Sequence, residues 1–322
     1  MSGHDWAIVL AGGEGTRIQP LIEQCLGFAC PKQYFTFCGS RSMLEHTIDR
    51  AVELVGEDRV ITVTGSGHSR FLQKQRIKGM VMEQPLSRGT GAGVLLPAAY
   101  IRRQDPDATV LIFPSDHFVC PKAGFLDQVT CARQCVDRLE GRMVLLAAVP
   151  DLPETDYGWV QPGIPVPGLS CFGGHVVHEV RSFREKPSAF EAKECFERGD
   201  LWNTMIIATR IKSLWNMVKR IVPEVMDRFE SFYRNLPGRR GNLKPEEQPA
   251  LGKLYDVIPS FDFSSTLLVR ASSDLAVMPL QGVLWSDWGR PERVFSTLRK
   301  IGRKPRFFET STRWELAQRL RA

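Results

Sequence analysis

Trp6-Ala7-Ile8-Val9-Leu10-Ala11-Gly12-Gly13-Glu14-Gly15-Thr16-Arg17 is the stretch on which the reading of this chain turns. Residues 6–11 form a short apolar run of the kind that makes a buried strand, and three glycines follow within four residues. Glycines so placed let the backbone approach a ligand closely and turn N–H groups toward phosphate oxygens, and Arg17 adds a forked cation. The spacing is neither that of a Walker loop nor the GxGxxG of dinucleotide-binding folds. An ordinary strand-to-helix turn could look the same, so the loop's meaning depends on its surroundings.

Outward from that stretch, apolar runs at 60–64, 79–82, 110–113 and 144–149 read as further strands. Between them, a helix begins at Ser42 with a capping box completed by Glu45, and its apolar positions Met43, Leu44, Thr47, Ile48, Ala51, Val52 and Val55 repeat at helical spacing. Residues 91–103 and 125–139 also read as helices. Such alternation predicts an α/β fold of Rossmann-like character: a mixed, mostly parallel sheet flanked by helices, with ligands beyond the carboxyl ends of the strands. The second half is less regular. Residues 162–174, rich in Pro and Gly, read as a loop or hairpin tip, 176–184 and 206–209 as strands, and 189–198 as a helix. A helix over 211–236 is broken at Pro223, 237–249 is polar, 291–301 is a helix with Pro in its first turn, and 312–321 is a short terminal helix.

A chain of 322 residues with 43% hydrophobic and 24% charged residues has the composition of a globular protein. The net charge of +6 is modest, its basic clusters are short and no aromatic pattern is interleaved with them, so no nucleic-acid surface is expected. A mild positive excess does suit a binder of polyphosphates. No apolar run reaches the roughly 18 residues of a membrane span, so no membrane partner is expected. Residues 1–6 lack a signal peptide's basic start, which makes a cytoplasmic location the expectation. The eight cysteines form no CxxC pair and no zinc pattern.

Further motifs take the loop away from the ordinary turn. Pro31-Lys32-Gln33 puts a second cation nearby, and Phe113-Pro114-Ser115-Asp116-His117 places a carboxylate just after an apolar strand. Phe183-Arg184-Glu185-Lys186-Pro187, Leu201-Trp202-Asn203 and Trp285-Ser286-Asp287-Trp288-Gly289 follow. In these motifs, from about residue 7 to 301, the chain resembles the sugar-1-phosphate nucleotidyltransferases, most closely the bacterial mannose-1-phosphate guanylyltransferases. The glycine-rich loop and Pro31-Lys32-Gln33 are highly specific together, whereas any one of the other motifs alone is weak.

The resemblance implies a catalytic domain over 1–302, with a nucleotide-binding part at about 1–150, a sugar-phosphate-binding part at about 151–302, and a tail at 303–322. It implies transfer of a nucleotidyl group from a nucleoside triphosphate, GTP favoured, to a sugar-1-phosphate with release of pyrophosphate, mannose-1-phosphate giving GDP-mannose. Arg17 and Lys32 would be catalytic. Leu10, Ala11, Gly12, Gly13, Gly15, Thr16, Gln84, Arg88 and Thr90 would bind the nucleotide. Gly158, Glu185, Lys186 and Asn203 would bind the sugar phosphate, and Asp116 and Asp287 would hold Mg²⁺, whose preference for hard oxygen ligands they match. His117 is given a structural part, because a phosphomonoester oxygen is already anionic and needs no base.

The family pattern also breaks in places. Gln84 to Gly91 keeps only Arg88 and Thr90 of the usual segment, and Met205 replaces a glycine. Leu267 stands where a glutamate often follows an Ile-Asp-Tyr motif that Phe261-Asp262-Phe263 echoes. The same chemistry with UTP, CTP or dTTP, or a non-catalytic homologue that senses nucleotide-sugar, therefore stays open, and a homodimer is one arrangement open to the chain.

Overall fold

Side chains along β1 (Asp5–Ala11) alternate between two buried apolar layers: Trp6 and Ile8 enter one, while Ala7, Val9 and Ala11 enter the other. A strand covered on both faces has no polar side, which is why the run reads as continuously apolar. β4 (Thr109–Pro114) and β6 (Met143–Ala148) divide their side chains the same way. The structure, a computed structural model, describes residues 3–170, 174–234 and 248–305.

The remaining strands are β2 (Val60–Thr64), β3 (Met80–Glu83), β5 (Phe118–Cys120), β7 (Gly158–Ser170), β8 (Val176–Glu185), β9 (Leu201–Arg210), β10 (Leu275–Leu280) and β11 (Leu284–Ser286). The helices are α1 (Gln19–Leu26), α2 (Met43–Val55), α3 (Ser69–Leu72), α4 (Gly89–Gln104), α5 (Lys122–Val136), α6 (Ala189–Arg198), α7 (Ile211–Ile221), α8 (Pro223–Arg234), α9 (Gln248–Val257) and α10 (Pro291–Lys300). Nine strands form one sheet in the order β3-β2-β1-β4-β9-β6-β10-β8-β7. Only β9 and β8 oppose the others in direction. The fold is thus the mixed, mostly parallel α/β sheet expected. Helices α2 and α5 pack on one face, α4, α7 and α8 on the other. No helix among the described residues is long and apolar enough to cross a membrane.

Two pairings position the site. β7 pairs with β9 as well as β8, which closes β9-β6-β10-β8-β7 on itself and sets Gly158 opposite Glu185 with Trp159 opposite Trp202. Separately, β11 and β5 form an antiparallel ribbon with Ser286 opposite Phe118. That register brings Asp287 beside Asp116 and His117, although 171 positions separate the two aspartates in sequence.

The loop expected over 162–174 is largely strand. β7 runs to Ser170, and its pairing with β8 shifts register near Pro162 and Pro165. Proline lacks the ladder N–H, so a strand that accommodates it does so at such irregularities. The strand expected at 206–209 extends back to Leu201 through a bulge: Leu146 pairs with Ile206 but Ala147 with Asn203, leaving Thr204 and Met205 extra. The break at Pro223 separates α7 from α8, and Pro249 lies within α9. Residues 235–247 and the terminal helix expected at 312–321 lie outside the described residues.

Candidate active site

The glycine loop leaves β1 at Ala11 and is held from beneath. Gln33 donates from Nε2 to the carbonyls of Ala11 and Gly13, each at 2.8 Å, and Ser115 N donates to the Leu10 carbonyl at 3.0 Å. With those carbonyls occupied, the amides of Gly13, Glu14 and Gly15 donate to no group among the described residues. Free backbone amides of this kind are donors suited to anions. Gly15 has φ +63°, and a Cβ there would meet the Lys32 Cβ at 2.8 Å. Its lack of a side chain is therefore what lets Lys32 lie under the loop. Thr16 is exposed at the loop's end, its carbonyl accepting from Gln19 N.

Lys32, 3% exposed, is the hub. Its Nζ lies 2.7 Å from Asp116 Oδ2 and donates to the Asp287 carbonyl at 2.5 Å. The Asp287 side chain accepts on Oδ1 from Tyr157 OH at 2.6 Å and Arg293 Nη1 at 2.8 Å, while Oδ2 lies 3.5 Å from Arg17 Nη2. Burial pushes the Asp287 carboxyl up, but Lys32, Arg293 and the Tyr157 hydroxyl outweigh it and hold the group well below the ordinary carboxylate value. Asp116 has the same balance: burial opposes ionisation, the Lys32 charge above all outweighs it, and the carboxyl is lowered. Both carboxylates are thus anionic at neutral pH. His117 is pushed down by burial, which keeps the ring neutral against the edge of Trp285 at 5.1 Å.

The chemistry of the donor set fits a hard divalent cation. Among the described residues no three His, Cys, Asp or Glu side chains gather to cage a metal. Two ionised carboxylates meet beside a loop of free amides instead, and Mg²⁺ is commonly held by one or two carboxylates with substrate phosphates completing the sphere.

A second group forms where β7, β8 and β9 meet. A Cβ on Gly158 would come within 2.5 Å of Glu185 Oε2, 2.9 Å of Phe183 Cζ and 3.3 Å of Asn203 Cβ. Only a glycine lets these side chains close around the spot. Lys186 follows at φ +46°, its N–H donating to the Tyr157 carbonyl at 3.1 Å and its Nζ 3.9 Å from Glu185 Oε1. Asn203 donates to Ser264 Oγ at 3.3 Å, and its Oδ1 accepts from Met205 N at 3.1 Å. Met205 has φ +56°, a left-handed conformation that glycine adopts more readily than a residue with a side chain.

Glu185 Oε2 is buried with no hydrogen-bond partner in the described structure. Burial first, and then the nearby Asp262 carboxylate, push this carboxyl from 4.5 up to about 7 against the pull of Lys186. A carboxyl raised in the fold adds stability in full below its unfolded value, and that stability is lost as pH rises through about 7. The shift corresponds to roughly 3 kcal/mol. Glu185→Gln, neutral throughout, should remove this slope, so that urea midpoints of the two proteins diverge between pH 4.5 and about 7 and the variant is the more stable above it. Parallel curves would contradict the raised carboxyl.

The 84–91 segment is only partly aimed at the loop. Gln84 Nε2 would lie 2.9 Å from a Cβ on Gly12, so its amide sits directly against the loop, and Tyr255 OH donates to its Oε1 at 3.3 Å. Arg88 turns the other way: its Nε donates to the Tyr255 carbonyl at 2.7 Å and its Nη2 to that of Asp256 at 3.4 Å. Thr90 donates to Asp262 Oδ2 at 2.7 Å and accepts from Phe263 N at 2.8 Å. Arg88 and Thr90 thus tie this segment to α9 and the 261–263 stretch.

Several participants carry no signal of their own in the sequence. Tyr157 and Arg293 hold Asp287, Glu154 pairs with Arg293 Nη2, and Asp156 accepts from Arg17 Nη1 at 2.7 Å and from Arg290 Nη2 at 2.5 Å. The clues available are two acids just before Tyr157-Gly158 and two arginines at the start of α10.

Comparison with known proteins bears on the family of the chain. A family model described as "Nucleotidyl transferase" matches residues 6–303. The mannose-1-phosphate guanylyltransferase ManC of Salmonella typhimurium is 28% identical over 293 residues, covering 88% of this chain and 57% of that protein. A mannose-1-phosphate guanylyltransferase of Escherichia coli is 29% identical over 228 residues, 68% of this chain and 46% of its own length. The chain thus spans about half the length of these curated relatives. Among solved structures, a Thermus thermophilus protein described as a mannose-1-phosphate geranyltransferase superposes with TM-score 0.76 at 24% identity, covering 91% of this chain and 79% of that one. A UDP-glucose pyrophosphorylase complexed with UDP-glucose gives 0.58 at 14%, covering 93% and 98%; at these identities the likeness is one of fold. With a loop of free amides, a buried lysine between two aspartates and a family match across nearly all its length, the chain belongs to the nucleotidyl transferase family.

Proposed function

We propose that the chain transfers a nucleotidyl group from a nucleoside triphosphate to a sugar-1-phosphate, with GTP and mannose-1-phosphate as the favoured pair. The observation that carries this reading is Lys32, buried beneath the glycine loop between Asp116 and Asp287. A phosphate oxygen of the sugar phosphate attacks the α-phosphorus in line, the α–β phosphoanhydride bond breaks, and pyrophosphate leaves. Such a transfer is governed by positioning and charge neutralisation more than by covalent chemistry. The free amides of Gly13, Glu14 and Gly15 and the Arg17 guanidinium suit the triphosphate, and Gln84, lying against Gly12, suits the base. Asp116 and Asp287 would hold Mg²⁺, which would offset the negative charge of the phosphates. Lys32 keeps both carboxylates ionised. Glu185 and Asn203, around Gly158, would bond sugar hydroxyls, and Lys186, largely exposed, would meet the sugar's phosphate. Residues from about 1 to 150 would serve mainly the nucleotide and about 151 to 302 mainly the sugar phosphate, with 303–322 a tail. The base and the sugar are taken from the relatives' names.

Pyrophosphate release, measured with Mg²⁺ across GTP, ATP, UTP, CTP and dTTP against mannose-1-phosphate and glucose-1-phosphate, tests the reading. The strongest turnover is expected with GTP and mannose-1-phosphate. Turnover with UTP or CTP but not GTP would reject the guanylyl assignment, and no turnover with any pair would reject the enzyme.

A further inference from the structure

Asp156 lies in the segment that leads into Gly158, and two guanidiniums converge on one of its oxygens. Arg17 Nη1 is 2.7 Å from Asp156 Oδ2, and Arg290 Nη2 is 2.5 Å from the same atom. Arg293 Nη2 approaches that oxygen at 3.5 Å, but Asp287 and Glu154 already engage its guanidinium. Arg17 and Arg290 differ from it in exposure: their side chains are 51% and 49% exposed, against 16% for Arg293. Two accessible cations thus share a single carboxylate oxygen at the rim of the transfer centre, where like charge is held together by one anion.

We propose that Arg290 is a second guanidinium for the pyrophosphate end of the nucleotide, acting beside Arg17, and that the Asp156 carboxylate stands in for that anion until it arrives. The inference rests on the transfer reading for the identity of the anion and on the geometry alone for the existence of the site. A pyrophosphate carries more charge than one carboxylate and offers separate oxygens to each arginine, so it meets both forks without crowding them onto one atom. It would release Asp156, which lies two residues from Gly158 and so connects the nucleotide's arrival to the segment entering the sugar-side group. An exposed ion pair with no further part in the protein would leave anion binding unchanged when removed.

Calorimetric titration of inorganic pyrophosphate with Mg²⁺ into the full chain and its Arg290→Gln, Arg290→Lys and Asp156→Asn variants tests this, with thermal melts checking that each is folded. Loss of one charge-assisted contact should weaken pyrophosphate about tenfold or more in Arg290→Gln, with Arg290→Lys between that variant and wild type. Asp156→Asn, which removes the competing anion, should bind pyrophosphate several-fold tighter. In turnover, Arg290→Gln should raise KM for the triphosphate and leave KM for the sugar phosphate unchanged. Equal affinity in wild type and folded Arg290→Gln overturns the assignment of Arg290, and weaker binding in Asp156→Asn overturns the stand-in role of Asp156. Arg290-dependent pyrophosphate binding without turnover on any substrate pair would support the anion site while rejecting the transferase reading. Turnover with Arg290-independent pyrophosphate binding would do the reverse.

Discussion

Replacing Lys32 with methionine should reduce turnover by at least a hundredfold and destabilise the protein by about 2 kcal/mol, the scale of a charge-assisted hydrogen bond, since Lys32 is buried but Asp116 is one third exposed. The size follows from how much converges on one Nζ. It neutralises Asp116 at 2.7 Å, fixes the Asp287 backbone through its carbonyl, and lowers both carboxyls against the burial that would raise them. Without it Asp116 faces the Asp287 charge, which raises its carboxyl.

The pH dependence gives this prediction its own check. Carboxyls depressed in the fold add stability that is present above their unfolded value, 3.8, and lost as pH falls through the folded one. Lys32→Met relaxes that depression, so its stability deficit should be largest at neutral pH and should narrow toward acid pH. Urea midpoints of both proteins across that range would show it. A deficit independent of pH would mean that methionine merely packs badly, and near-normal turnover would remove Lys32 from the chemistry.

The parts of this centre that sequence made legible are those whose meaning is local. The glycine loop, Lys32 and Asp116 each follow an apolar run at short range, so residue type and spacing indicate their direction and surroundings before any fold is known. Asp287 was legible only through its motif, because its proximity to Asp116 depends on the register of β11 against β5. Arg293, Glu154, Asp156 and Arg290 carried no such local signal. Glu154 and Arg293 are 139 positions apart, and two acids before a tyrosine read as a solvated loop until α10 is packed beside them. In the fold, the first-half strands were evident from their continuous apolar character, whereas β7 was hidden by Pro162 and Pro165, which local reasoning assigns to loops. The extra residues in β9 were equally hidden, since a bulge is defined only against the partner strand. Arg88 was marked by its motif, whereas the Tyr255 and Asp256 carbonyls to which its guanidinium donates are found only in the fold.

Gly158→Ala is expected to separate the two halves of the proposed reaction. The added methyl would meet Glu185 Oε2 at 2.5 Å, the Phe183 ring at 2.9 Å and Asn203 Cβ at 3.3 Å. Glu185 has a carboxylate end that can turn, but the ring and the Asn203 stem belong to strands paired around this point and have little room to retreat. Overpacking of this kind destabilises a protein by about 1–3 kcal/mol. Displacement of Glu185 should, in addition, raise KM for the sugar phosphate by about tenfold or more, since misplacement by ~1 Å near reacting groups can cost a hundredfold. The triphosphate side should be spared, because the glycine loop, Lys32 and Gln84 take no part in the contacts that the methyl disturbs. Steady-state kinetics with each substrate varied in turn, on protein whose thermal midpoint shows it folded, distinguishes the outcomes. A rise confined to the sugar phosphate supports Gly158, Glu185 and Asn203 as its pocket. Equal rises for both substrates would mean that the methyl disturbs the transfer centre through Tyr157, which donates to Asp287, and unchanged constants would place sugar binding elsewhere.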